Sequence, residues 1–136
     1  MSVVPIGIPA TFQDLLTNPR AFAHLATIMP DGSPQVTPVW FDAANGRIRV
    51  NTAKGRVKAR NMPEGARVAL SILDPDNSYR YLQIRGVVAH VTEAAALAHI
   101  DGLAKKYLGK DVYPWHNAKD TRTIHEIEPV SVQTMG

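Results

Sequence analysis

Apolar and polar positions divide the chain into short segments separated by turn-forming residues. Ala21 to Met29 carries Phe22, Leu25, Thr27 and Ile28 and stops at Pro30-Asp31-Gly32-Ser33, which predicts a strand entering a hairpin, with Gln35 to Phe41 as its partner. Asn45-Gly46 is a two-residue hairpin signal, because both residues tolerate positive φ, and after it Arg47 to Thr52 alternates with Ile48 and Val50 inward. These three segments predict an antiparallel meander. Arg67 to Leu73 alternates through Val68, Leu70 and Ile72, and beyond the Asp74-Pro75-Asp76-Asn77 turn a long strand runs from Tyr79 to Thr92. Gly86 in its middle predicts a bulge or bend. Thr121 to Ile127 and Val130 to Thr134 form a last strand interrupted by Pro129.

Helices are few. Thr11 predicts a cap for a short helix ended by Pro19, and Arg56 to Met62 reads as another, ended by Pro63. Glu93 to Leu108 spaces Leu97, Ile100, Ala104 and Tyr107 by three and four as an inward stripe, with Gly109 placed to close the helix. Pro34 and Pro38 cannot donate ladder hydrogen bonds, so their strand belongs at an edge or bulge with backbone free for a ligand. Gly109 to Asp120 has no period. Five to six antiparallel strands without βαβ alternation predict a mainly β, α+β protein built as a small closed barrel.

The length of 136 residues fits one domain over residues 1–136, and 45% hydrophobic against 20% charged residues is the balance of a folded globular chain. Without cysteine there is no disulfide, thiolate metal site or cysteine nucleophile. No segment approaches the roughly 18 apolar residues of a membrane span, and MSVVPIGIPATF lacks the basic start and apolar run of a signal peptide, so a cytoplasmic protein with no membrane partner is expected. A formal charge of +3 is too modest to argue for nucleic acid, but from Arg47 to Arg67 seven basic residues face one acid, Glu64.

That window contains the strongest site signal. In Asn51-Thr52-Ala53-Lys54-Gly55-Arg56-Val57-Lys58-Ala59-Arg60-Asn61 a strand ends, a glycine turns the chain and a cationic helix begins, offering backbone N–H groups, a helix dipole and Arg and Lys side chains to a phosphate. Lys58 and Asn61, three apart on one face, are expected to reach the same group. The residues alone leave a solvated cationic helix equally open. Five histidines show no metal-ligand spacing, so no metal is expected, and His24 and His90 read as core or dimer-surface residues. Trp40, Tyr79, Tyr81, Tyr107, Tyr113 and Trp115 are the rings able to line a flat pocket. No acid, base and nucleophile set is apparent, so no catalytic residue is assigned; this favours a cofactor that performs the chemistry.

The stretch Leu25 to Trp40, then Asn51-Thr52, Arg56 to Asn61 and Tyr81-Leu82-Gln83-Ile84-Arg85-Gly86, resembles the pyridoxamine 5'-phosphate oxidase-like split β-barrel superfamily, with its FMN-binding-like fold, and specifically the branch that uses the deazaflavin coenzyme F-420. The resemblance implies a homodimer with two cofactor sites at its interface. The ring would lie along Gln35, Thr37, Pro38, Val50, Asn51 and Thr52, with the phosphate on Arg56, Lys58 and Asn61 and with Tyr79 and Tyr81 reaching in from the other subunit. Lys54, Arg60 and the pair Arg47 and Arg49 would offer charge for the oligoglutamate tail. The implied activity is an oxidoreductase moving hydride between the deazaflavin and a small conjugated acceptor of quinone, bilin or unsaturated carbonyl type. The alternatives are an FMN-dependent oxidase or reductase of the same fold and a non-catalytic flavin or haem carrier.

Overall fold

A computed structural model describes residues 7–136; the parts of the expected single domain and leaderless start that fall on residues 1–6 lie outside it. Seven strands form one antiparallel sheet: β1 (Ala23–Ile28), β2 (Pro34–Val39), β3 (Asp42–Ala44), β4 (Arg47–Ala53), β5 (Arg67–Leu73), β6 (Tyr81–Thr92) and β7 (Arg122–Met135). Their order is β2-β1-β5-β6-β7-β4-β3. The helices are α1 (Asp14–Thr17), α2 (Val57–Arg60) and α3 (Ala96–Leu108). Alternate residues point inward, so Leu25, Ile48, Val50, Leu70, Ile72, Leu82, Ile84 and Ile127 meet Phe41 and Met62 in one fully buried core.

The sheet is not closed on itself: the architecture is a split β-barrel, not the closed barrel the strand pattern predicts. Strand β2, with its two prolines, is an edge as expected. The opposite edge belongs to β3, whose pairing with β4 ends at Asp42 opposite Arg49, leaving Val50 to Ala53 without a strand on that side. The expected meander does not form. β2 pairs only with β1, β1 turns its other edge to β5, and β4 pairs with β7. Asn45 and Gly46 do take positive φ, 55° and 76°, but the hairpin they make joins β4 to β3.

Other departures have local causes. Thr11 caps nothing; it lies in a 3-10 turn (Ala10–Phe12) and supplies its carbonyl oxygen to Arg80 Nη2 at 2.7 Å. Helix α3 begins at Ala96, after a left-handed Ala95 (φ 62°), and ends at Gly109 as expected. It buries Ile100 and Ala104 but leaves Leu97 exposed, because the inward face also carries Ala96, Leu103 and the hydrogen-bonded His99. The helix is fastened at its far end by the Lys106 ammonium, which donates to the carbonyls of Leu16 at 2.9 Å and Phe41 at 2.8 Å. Burial lowers the pKa of Lys106 to about 8. His24 and His90 are both exposed on strand faces, which removes the core reading; the buried histidines are His99 and His125.

Strand β7 runs through Pro129 without a break because β6 yields at that point. The register shifts between Arg85 and Gly86, and Gly86 sits opposite Pro129. A Cβ on Gly86 would lie 2.7 Å from the Glu128 carbonyl oxygen and 2.7 Å from Ile127 Cγ2. Gly86→Ala is therefore expected to lower the unfolding free energy by about 1–3 kcal/mol, read from the urea midpoint at unchanged m-value.

His125 ties β7 to the loop after α2. One ring nitrogen, Nδ1, donates to the Met62 carbonyl at 2.9 Å, and Nε2 accepts from the Thr123 hydroxyl at 2.9 Å. Burial holds its pKa below the ordinary value, so the folded state keeps it neutral. As pH falls below about 6.5 the unfolded chain takes up a proton that the folded chain resists, and stability is lost until the depressed folded pKa is passed. Urea unfolding at stepped pH is expected to show this loss, and His125→Gln to reduce it.

Candidate functional site

The opening between the two sheet edges holds a cleft of about 230 Å³. Pro38, Val39 and Trp40 come from the end of β2, Asn51 from the unpaired half of β4, Arg56 and Lys58 from the start of α2, and Ile100 and Leu103 from α3. Tyr113 and Trp115, from the irregular segment before β7, and Arg122, at the start of β7, complete the wall.

The aromatic side is built in layers. Tyr107 stacks between Phe22 (5.2 Å between ring centres) and Trp40 (5.3 Å), and its hydroxyl donates to the Ala21 carbonyl at 2.9 Å. Burial raises its pKa to about 12, so the hydroxyl stays protonated. Tyr113 stands edge-on to Trp40 at 6.0 Å and to Trp115 at 5.5 Å. The segment bearing these rings is pinned to α3 through one carboxylate oxygen: Asp101 Oδ1 accepts from the Tyr113 backbone N–H and pairs with His116 Nε2, each at 2.8 Å.

The opposite side is cationic. Arg56 reaches Asp120 at 3.3 Å, and Arg122, 3.9 Å from the same carboxylate, lies over the Tyr113 ring at 5.0 Å. Lys58 has no ion pair among the described residues. Burial, reinforced by repulsion from Arg56, lowers its pKa. Three cations thus crowd a partly desolvated place whose one carboxylate, Asp120, pairs with the two arginines and leaves Lys58 unpaired among the described residues, an electrostatic strain that an anion relieves.

Behind the cleft, Asp42 accepts from Arg49 at 2.8 and 2.7 Å and bonds His99 at 3.0 Å. Burial pushes the Asp42 pKa up, but the bonds from His99 and Arg49 outweigh it and hold the carboxyl below its ordinary value. Asn51 Nδ2 donates to the Ala96 carbonyl at 2.8 Å and meets His99 Nδ1 at 3.1 Å. Two buried polar atoms of cleft-lining residues, Asn51 Oδ1 and Arg122 Nη2, have no partner among the described residues.

Of the residues expected to hold a cofactor, the fold brings Pro38, Asn51, Arg56 and Lys58 to this cleft. Asn61 is turned away: its amide donates to the Thr27 hydroxyl at 3.1 Å and lies 3.2 Å from Met29 Sδ. The Thr27 hydroxyl in turn donates to Gln35 at 3.2 Å, so Asn61 and Gln35 brace β1 and β2. Lys58 and Asn61 are therefore not brought together at this cleft: α2 is a single turn, and Asn61, its C-terminal cap, has its amide bonded to Thr27. A helix this short contributes little dipole, and side chains carry the positive field. Val50 lies in the core, Thr52 is buried with Oγ1 unpartnered among the described residues, and half-buried Thr37 stays on β2 opposite Leu25. Tyr79 is exposed in the β5–β6 turn and Tyr81 starts β6 opposite Met135; neither lines the cleft.

The outlying cations are mostly committed. Arg47 pairs with Glu126, Arg49 with Asp42 and Lys54 with Glu93. Arg60 has no ion pair among the described residues and edges a second cavity, of about 430 Å³, on the far flank of α2. Arg122 and the Asp42–His99 pair went unseen in the sequence, since Arg122 lies 71 positions after Asn51 in a chain whose spacing says nothing of their meeting. Among the described residues no three His, Asp or Glu side chains gather as metal ligands, and no helix is long and apolar enough to cross a membrane.

No curated protein sequence matches the chain. Among solved structures it is similar to an F-420 reductase, with 33% identity, 93% of this chain and 98% of that chain covered, and a TM-score of 0.79. It shares its fold with a conserved hypothetical protein from Mycobacterium tuberculosis at 22% identity (99% and 89% covered, TM-score 0.71). The same holds for the FAD and haem binding protein from Mycobacterium smegmatis at 18% identity (96% and 71% covered, TM-score 0.68). A family model described as pyridoxamine 5'-phosphate oxidase matches residues 8–136, and with the split barrel and its cationic, aromatic-walled cleft this places the chain in the pyridoxamine 5'-phosphate oxidase family.

Proposed function

We propose that the protein is a coenzyme F-420-dependent oxidoreductase that moves hydride between the deazaflavin and a small conjugated organic acceptor of quinone, bilin or unsaturated carbonyl type. The observation that carries this reading is the cleft itself, in which Arg56, Lys58 and Arg122 outnumber their single carboxylate, Asp120, beside a wall of stacked rings. The likeness to an F-420 reductase at 33% identity supports it. The residues present fit such a group: Arg56 and Lys58 would hold the phosphate, Trp40 and Tyr113 would flank a planar ring, and the unpartnered atoms of Asn51 and Arg122 would meet its polar edge. The bound deazaflavin supplies the hydride chemistry, and the chain's own part is to bind, orient and shut out water.

FMN is the second reading, and one observation favours it. An oligoglutamate tail calls for positive charge beyond the phosphate grip, yet Arg47, Arg49 and Lys54 are each already paired with a carboxylate. Fluorescence titration with both cofactors decides the matter: the deazaflavin is expected to bind more tightly, and tighter FMN binding overturns the choice. Lys58→Glu is expected to weaken binding about 10- to 100-fold and Arg60→Glu far less, because only Lys58 faces the cleft.

The working unit in this proposal is a homodimer. The outward face of β2, β1, β5 and the first half of β6 exposes Val36, Ile28 and Leu73, apolar side chains that a second copy would cover, with Arg67 and Arg85 beside them. Tyr79, 75% exposed, would then be free to reach the partner's cleft. Sedimentation is expected to give a dimer, and Val36→Asp to shift it towards monomer with loss of cofactor affinity; a wild-type monomer that binds cofactor fully overturns the proposal.

A further inference from the structure

The hydrogen bonds behind the cleft run in one direction. Arg49 occupies both oxygens of Asp42, and Asp42 Oδ1 also accepts from His99 Nε2–H at 3.0 Å. With its proton on Nε2, His99 leaves Nδ1 as an acceptor, 3.1 Å from Asn51 Nδ2, which also donates to the Ala96 carbonyl at 2.8 Å. Both amide hydrogens of Asn51 are spent there. Turned over, the amide would set Oδ1 against a carbonyl oxygen and an imidazole lone pair, so it is locked as an acceptor. On the neighbouring strand β7, two residues along from Ile124, which pairs with Asn51, Arg122 is held over Tyr113, and its Nη2 makes no hydrogen bond, the Asp120 carboxylate being 3.9 Å away. Both unpartnered atoms are closed to bulk water, and buried polar atoms without partners are rare enough to call for a cause.

We propose that Asn51 and Arg122 form a donor–acceptor pair that reads the edge of a cyclic imide, Asn51 Oδ1 accepting from the ring N–H and Arg122 Nη2 donating to the adjacent ring carbonyl. His99, held by Asp42, is the positioning residue that keeps Asn51 an acceptor. A pyrimidinedione edge of this kind is common to flavin and deazaflavin rings, so the assignment rests on the flavin-type reading of the cleft but not on the choice between the two cofactors. It sets the polar edge of the ring against β4 and the start of β7.

The test needs no variant at its decisive step. Wild-type protein is titrated with FMN and with coenzyme F-420 by fluorescence, and then with the N3-methyl derivative of whichever binds. Methylation of the imide nitrogen is expected to weaken binding at least about tenfold, as loss of one hydrogen bond to a buried acceptor does. Equal binding of the parent and methylated rings overturns the edge assignment while leaving the flavin reading intact, and failure of both parent cofactors to bind overturns both. Asn51→Ala and Arg122→Met are each expected to weaken binding of the parent ring, and Asn51→Ala to abolish the preference over its methylated form. His99→Phe is expected to narrow the same preference, a readout that a merely structural role does not move; a preference unchanged in folded His99→Phe removes the positioning role.

Discussion

Everything at the site follows from two edges that cannot zip together. Strand β2 contains Pro34 and Pro38, which have no N–H to donate, and β3 is three residues long and stops opposite Arg49. With no ladder available between β2 and the upper half of β4, the sheet curls around its core and stays open along that line. Pro38, Trp40 and Asn51 face the opening because of it, and α2, α3 and the segment before β7 fill in around it.

A single helical turn is not stable by itself, so α2 depends on what grips it. Its C-terminal end is held by two buried contacts, His125 to the Met62 carbonyl and Asn61 to Thr27. These set where Lys58 points, so Asn61 serves as a bracket for the turn that presents Lys58 to the cleft. Lys58 is left half-desolvated beside Arg56 with no carboxylate of its own among the described residues. The fold tolerates that unfavourable charge at a cleft, where structures commonly concentrate perturbed groups.

What the sequence made legible was local. The alternation in β5, the Asn45-Gly46 turn, the break at Gly86 and the closure at Gly109 each depend on a few neighbouring residues, and each stands where it was read. The family pattern was legible too, because its residues lie in the two hairpins and α2. Long-range partners were not: nothing in β1 announces β5, and nothing in β4 announces β7. The stripe on α3 misled because apolar spacing favours Leu97, whereas the helix is turned by a polar side chain, His99, that finds its partners on β3 and β4. Arg122 was invisible for the same reason, since the residues that share the cleft with it come from five other parts of the chain.

The segment that carries Tyr113 and Trp115 hangs from α3 by one oxygen of Asp101, while the cationic wall hangs from the sheet and α2. The two halves of the cleft thus have separate anchors and meet where Arg122 lies over Tyr113 and Arg56 reaches Asp120. Substitutions at Lys110 to Val112 and Pro114 to Lys119, which spare the ring beneath Arg122, can reshape the entrance while the charges below it stay where they are, so the shape of the mouth and the charge of the floor are free to vary separately.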